Sequence, residues 1–244
     1  MNTSQKVALV TGATRGIGRE TVRQLAGSGA LVLLAGRDEA RTRAAAAELK
    51  GEGLSVEPIV LDVTRTDSIA KAVDEVTSRF GRLDILVNNA GILLDDLGKA
   101  PSGQTLSTWR ETFDTNVFAV VEVTQAFLPL LKAAPAARIV NVSSQLGSLA
   151  LHTDPTSSIY AFKVPAYNVS KSAVNAWTVH LAYELRDTPI KVNAIHPGYV
   201  QTDMNGGHGE IDVPTGAKSS VGMALLADDG PTGTFTYLGK TLPW

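Results

Sequence analysis

The sequence predicts a doubly wound α/β fold, a parallel sheet with helices on both faces, and three observations point to it. Seven short apolar runs recur, at Val7–Val10, Leu31–Ala35, Ile59–Leu61, Ile85–Val87, Ile139–Val142, Val192–Ile195 and Thr234–Tyr237. Their apolarity is continuous rather than alternating, the pattern of strands covered on both faces. Stretches of helical period lie between them, and strand–helix alternation throughout makes a parallel sheet.

The first run enters "VALVTGATRGIGRE", in which Ile17, Thr21 and Leu25 share one helical face. Pro58, beside the third run, removes a ladder donor and predicts an edge strand. Ile69, Val73, Val76 and Phe80 form the next apolar stripe, with Gly81 as its C-terminal stop. Ser107 is the expected cap of a long helix through "WRETFDTNVFAVVEVTQAFLPLLK". Val174, Trp177, Leu181 and Leu185 make a further stripe whose simplest use is core packing. No repeat, low-complexity linker or composition break divides the chain, so residues 1–244 are read as one domain.

Composition narrows the function classes. The 244 residues are 44% hydrophobic and 19% charged, with net charge −2, which leaves no basic field for nucleic acid. Zero cysteines exclude disulfides and thiolate metal sites and fit a reducing compartment. The start, "MNTSQKVALVTG", lacks the apolar core of a signal peptide, and no later run approaches the ~20 apolar residues of a membrane span. A soluble cytoplasmic protein without membrane partners is expected. His152, His180, His196 and His208 show no H-E-x-x-H spacing, so no catalytic metal is expected, and His196 is read as structural.

The glycine turn carries the first chemistry. Gly12, Gly16 and Gly18 follow TG-x-x-x-G-x-G between a strand and a helix, and let backbone N–H groups approach a pyrophosphate. The spacing differs from G-x-G-x-x-G, and no G-K-[ST] ending marks a triphosphate site. After the second strand, "LLAGRDEAR" puts Arg37 where a ribose carboxylate would select NAD, and Arg15 and Arg41 add cations. That favours NADP(H). Asp38 as a displaced ribose carboxylate, and three merely solvated arginines, remain the competing readings.

The ordered motifs resemble the short-chain dehydrogenases/reductases over nearly the whole chain. They are "TGATRGIG" at Thr11–Gly18, "LDV" at Leu61–Val63, "NNAG" at Asn88–Gly91, Asn116 in "DTNVF", "VNVSS" ending at Ser144, "YNVSK" at Tyr167–Lys171 and "HPGYVQTDM" from His196. The arginine placement looks most like the NADPH-dependent carbonyl reductases. The resemblance implies a seven-stranded Rossmann-type sheet of order 3-2-1-4-5-6-7. It implies that Gly12, Thr14, Arg15, Gly16, Ile17 and Gly18 meet the cofactor, and that Asp62 and Val63 border its adenine. Asn89 would hold the loop past which Ala90 and Gly91 run, and Pro197, Gly198, Val200 and Thr202 would flank the nicotinamide and phosphates.

Hydride addition to a carbonyl leaves charge on oxygen, which needs a proton donor and a second hydrogen bond. Tyrosine, with a pKa near ~10, is a sluggish acid at neutral pH. Lys171, four residues on and on the same helical face, is expected to lower it and to hold the cofactor ribose. The resemblance assigns Ser144 as second donor and Asn116 as holder of a water linking Lys171 to solvent. Adjacent Ser143 faces the other way in an extended strand. Tyr160 competes as the phenol, but Lys163 is only three residues on and precedes Pro165.

The 23 positions from Ser144 to Tyr167 exceed the shortest family members, so about 145–166 is read as an insertion beside the substrate. Its Leu149, Leu151, Ile159, Tyr160 and Phe162 are read as an apolar pocket wall or as cover for the sheet end. Residues 202–216 are read as a lid. The expected substrate is a ketone, aldehyde or quinone, or the corresponding alcohol. Self-association as a homodimer or homotetramer is expected, with a monomer as the alternative. The competing functions are an NAD-dependent alcohol dehydrogenase, a non-catalytic NADP(H)-sensing regulator, and an epimerase or dehydratase on a related fold.

Overall fold

The computed structural model describes residues 5–244; the polar start at residues 1–4 lies outside the described residues. The strands are β1 Val7–Val10, β2 Leu31–Gly36, β3 Val56–Val60, β4 Ile85–Asn88, β5 Arg138–Val142, β6 Lys191–Ile195, β7 Phe235–Tyr237 and β8 Lys240–Thr241. Their order is 3-2-1-4-5-6-7-8. The first seven are parallel, and β8 is added antiparallel to β7. The expected all-parallel seven-stranded sheet is therefore extended by an edge ribbon whose two residues are exposed and carry no apolar signal. β3 lies at the opposite edge, as Pro58 predicts.

The helices are α1 Gly16–Gly27, α2 Glu39–Gly51, α3 Thr66–Phe80, α4 Leu106–Phe113, α5 Ala119–Ala133, α6 Leu149–Thr153, α7 Pro165–Glu184 and α8 Val213–Ala224. Strand alternation divides the core between the two faces. Val7 and Leu9 of β1 pack with residues of α3, α5 and α7, while Ala8 and Val10 pack with α1, α2 and α8. Gly81 closes α3 in the left-handed region at φ 67°.

Two helix boundaries differ from expectation. The cap of α4 is Thr105, whose Oγ1 accepts from Thr108 N at 3.2 Å, so Ser107 falls inside the first turn. The expected single helix is broken by a π turn at Asp114–Phe118 between α4 and α5. The run Leu106–Ala133 is long and apolar enough to cross a membrane by length and composition. Here its Val123, Phe127, Leu130 and Leu131 sit in the core beneath the sheet. Phe127 is fully buried, so Phe127→Ala is expected to cost about 3–5 kcal/mol in urea unfolding. A loss below ~1 kcal/mol would contradict that packing.

Candidate active site

The C-terminal ends of the parallel strands open into a cleft of about 600 Å³. Its floor begins at the glycine turn between β1 and α1. Gly12 has φ +61°, and a Cβ there would stand 2.8 Å from Ala90 Cα. A Cβ at Gly18 would collide with Asn89 Nδ2. The turn and the "NNAG" loop are laced together by four hydrogen bonds. Thr11 Oγ1 accepts from Asn89 N and Ala90 N at 3.0 Å each, and Asn89 Nδ2 donates to Thr11 O at 2.8 Å and Gly12 O at 3.2 Å. The first turn of α1 carries no acidic residue, which leaves its positive end uncompensated.

Of the residues expected around a cofactor, Gly12, Thr14, Arg15, Gly16, Ile17, Gly18, Arg37, Asp62, Val63, Asn89, Ala90, Gly91, Tyr167, Lys171, Pro197 and Thr202 line this cleft. Arg41 borders an adjoining hollow of about 390 Å³, with Thr14, Arg15, Arg19, Arg37, Asp38 and Glu48. Gly198 and Val200 do not line the cleft. The Val200 side chain turns away to pack on Gly216 of α8, and Gly198 is covered by Ile211 and Tyr237.

The hollow separates its cations by partner. Arg19 pairs with Glu48, and Arg15 reaches Asp203 at 3.0 Å across the cleft mouth. Arg37 and Arg41 form no ion pair among the described residues. Asp38 caps α2, accepting from Arg41 N at 2.9 Å, so one of its oxygens is already engaged. Asp62 accepts at one oxygen from Thr64 N and Thr64 Oγ1.

At the inner end, α7 brings Tyr167 and Lys171 to the cleft, 8% and 4% exposed. Lys171 Nζ lies 5.5 Å from the Tyr167 ring centroid and donates to Val142 O at 2.8 Å. Ser144 follows β5; its Oγ accepts from Leu146 N at 3.1 Å and interacts with the Tyr167 hydroxyl. Ser143 points into α7, donating to Asn175 Oδ1 at 2.6 Å. The two serines thus diverge as an extended strand requires.

Burial pushes the Tyr167 phenol up to about 12, with the Ser144 hydrogen bond opposing. It pushes the Lys171 ammonium down to about 8. The expected lowering of the phenol by the lysine is therefore not found in the protein alone. Both groups are desolvated, and desolvation disfavours tyrosinate and ammonium alike.

Asn116 is buried within the π turn, a form of helix that recurs at functional sites. Its Nδ2 donates to Ile92 O and Ser170 Oγ, and its Oδ1 accepts from Ile92 N at 2.8 Å. Both Nδ2 hydrogens are thereby engaged, while Oδ1 keeps a second lone pair. A Cβ at Gly91 would sit 3.4 Å from Asn116 Oδ1 and 3.5 Å from Lys171 Nζ, so both groups converge on that glycine.

Tyr160 is exposed, and Lys163 stacks over its ring and bonds His152 Nδ1, outside the cleft. Leu149 and Phe162 are also exposed while Ile159 is buried, and none of the five expected wall residues borders the cleft. In the segment from 202, Thr202, Asp203 and Met204 do border it. Val200, just before the segment, bridges Ile211 within it. His196 is buried beside Tyr237, and burial pushes its imidazole down to about 4, which keeps it neutral.

Sequence reasoning missed Ile92, Glu111, Asp114 and Thr115 on the cleft wall. It also missed Asp95, a buried carboxylate bonded to the start of α7. The signal for Asp95 was negative. "VPAY" begins a long helix with no capping side chain of its own.

A family profile described as short chain dehydrogenase matches residues 6–211. The chain belongs to the short-chain dehydrogenase family. Within that family it is 34% identical to the NADPH carbonyl reductase 1 of Mus musculus, covering 100% of both chains. It is 32% identical to (+)-neomenthol dehydrogenase of Capsicum annuum, covering 96% of each. That alignment runs over 285 positions against the 244 residues of this chain, so the mouse relative carries additional segments. Among solved structures, NADPH-bound carbonyl reductase from chicken fatty liver superposes with TM-score 0.85 at 30% identity, covering 98% of this chain and 99% of that one. Salutaridine reductase of Papaver somniferum gives 0.83 at 30% identity, covering 95% and 99%. As in these dehydrogenase relatives, the protein is an oxidoreductase enzyme with a Rossmann-type sheet.

Proposed function

We propose that this short-chain dehydrogenase reduces the carbonyl of a ketone, aldehyde or quinone with NADPH, reversibly. One observation carries the reading. Tyr167 and Lys171 line the inner end of the cleft, with Ser144 hydrogen-bonded to the buried phenol, and the adjoining hollow at the other end offers Arg37 and Arg41, which form no ion pair among the described residues. The residues fit a dinucleotide phosphate. Side chains at Gly12 and Gly18 would fill the space where backbone must lie close, and the α1 N-terminus faces the cleft. Arg37 and Arg41 would hold the 2′-phosphate, Asp62 and Val63 the adenine, and Lys171 the nicotinamide ribose. When bound, the cofactor supplies a hydride.

The chain's own residues manage the proton. A phenol raised to about 12 stays protonated at neutral pH, so Tyr167 is held ready to donate to the carbonyl oxygen as charge develops. Ser144 supplies the second hydrogen bond to that oxygen. Lys171, lowered to about 8, loses and regains a proton near neutrality and so restores the Tyr167 proton. The assignment of Asn116 is to hold the water through which Lys171 reaches solvent.

The same values set the pH dependence. Reduction needs protonated Tyr167 and Lys171, so its kcat is expected to be level through neutrality and to fall above about pH 8. Alcohol oxidation needs their deprotonated forms and should rise over that range. Steady-state rates in both directions check this, and parallel profiles would contradict it.

The segment 145–166 is read as the substrate-side insertion and 202–216 as the lid, within a single domain. The reading also has the protein self-associating in the cytoplasm, its solubility supported by the burial of Val123, Phe127, Leu130 and Leu131 in the core. NADPH oxidation with a panel of ketones, aldehydes and quinones tests the whole. No turnover of any of them, with NADPH bound, would favour a sensing role and overturn the reading.

A further inference from the structure

We infer that Asp95 is the positioning residue for Tyr167, setting the phenol against Ser144 through the backbone of α7. The inference rests on the functional reading above. Asp95 lies 71 residues before Ala166 in sequence, on the loop that follows β4, yet its side chain is the N-terminal cap of α7. Its Oδ1 accepts from Ala166 N at 2.9 Å and its Oδ2 from Tyr167 N at 3.0 Å.

α7 has no local means of making those bonds. The residue before the helix, Val164, bears no hydrogen-bonding side chain, and Pro165 in the first position has no N–H. Ala166 and Tyr167 then hold the first free donors, which need an acceptor because both residues are buried. One carboxylate from a distant loop satisfies both, and the second of them belongs to the tyrosine itself.

The loop that carries Asp95 is fixed at its other end. Three residues earlier, Ile92 is held through its N–H and carbonyl by Asn116. Asn116 is in turn tied to Ser170 on α7, whose Oγ donates to Tyr167 O at 2.7 Å. Tyr167 is thereby gripped at its N–H by Asp95 and at its carbonyl by Ser170, and both grips trace to the segment after "NNAG". A cap made by the helix's own flanking residue would fix the helix end without referring it to the cleft wall. The Asp95 cap refers the tyrosine to the loop that also lines the cleft.

Loss of the carboxylate would let the first turn of α7 shift, and displacement of an acid by about 1 Å can cost up to ~10²-fold in rate. Asp95→Ala in the full chain is expected to lower kcat about tenfold with NADPH affinity unchanged, since Asp95 does not border the cleft. Asp95→Asn keeps one acceptor oxygen and should restore kcat to within about threefold of wild type. Amide hydrogen exchange at Ala166 and Tyr167 should quicken in the alanine variant and recover in part in the asparagine one.

Unchanged kcat in Asp95→Ala, or equal losses in Ala and Asn variants, would overturn the inference, as would a loss of kcat without faster exchange at these two amides. If the alanine variant does not fold, the exchange rates of the asparagine variant decide alone. Exchange requires no turnover. A wild-type protein inactive on every carbonyl but protected at these amides would sink the functional reading and leave the hold of Asp95 on Tyr167 intact.

Discussion

Tyr167→Phe is expected to lower kcat for carbonyl reduction by about 10²–10⁴-fold, the range general acid catalysis supplies. The substitution removes one oxygen and keeps the ring, which is 8% exposed and packed beneath Lys171. The fold and the cleft should survive, so NADPH affinity is expected to change less than about threefold, as for a group acting only in the transition state. The pH profile should change with the rate. With the phenol gone, the remaining donors are Ser144 and water, and the fall above pH 8 assigned to Lys171 should flatten. Stopped-flow NADPH oxidation and fluorescence titration of the same preparation check both parts. A variant within tenfold of wild-type kcat would move the acid elsewhere.

Ser144→Ala follows from the same geometry with a smaller effect, because it removes a stabilising donor and leaves the acid in place. Ser143→Ala is a control of opposite logic. Its Oγ is committed to Asn175 on α7, so its loss should lower stability before it touches turnover.

Much of this was legible in the sequence, for physical reasons that also explain the gaps. Central strands such as β1 and β4 are buried on both faces, so their residues are apolar without interruption. β3 begins three residues before its apolar signal because Glu57 and Pro58 interrupt an edge strand that need not be apolar throughout. The π turn around Asn116 left no local mark. Within it Asn116 bonds Ile92 and Ser170, which only the tertiary fold brings together. Gly198 and Val200 belong to a motif legible in the sequence, yet the side chain of Val200 is claimed by Gly216 of a later helix. The raised phenol was illegible for a similar reason. Spacing shows that a lysine is near, and only burial shows that desolvation outweighs it. Motifs report which residues meet, while pKa values and caps depend on what else surrounds them.

Replacing Arg37 and Arg41 together by alanine is expected to shift the preference for NADPH over NADH by about 10²-fold or more. A hydrogen bond to a charged group contributes about 1.5–3 kcal/mol, so each lost arginine is equivalent to about 10–150-fold in affinity. These two cations are chosen by their surroundings. Arg15 is engaged by Asp203 and Arg19 by Glu48, whereas Arg37 and Arg41 face the outer hollow with no carboxylate partner among the described residues. The substitution also spares the local fold. Asp38 caps α2 through the main-chain N–H of residue 41, which alanine retains. Affinity for NADH should stay nearly constant, because it carries no 2′-phosphate for the arginines to meet. Weakening confined to NADPH would assign both cations to that phosphate. Equal weakening of both cofactors would mean that the arginines support the hollow rather than read the ligand, and Asp38 would then return as the ribose-binding carboxylate.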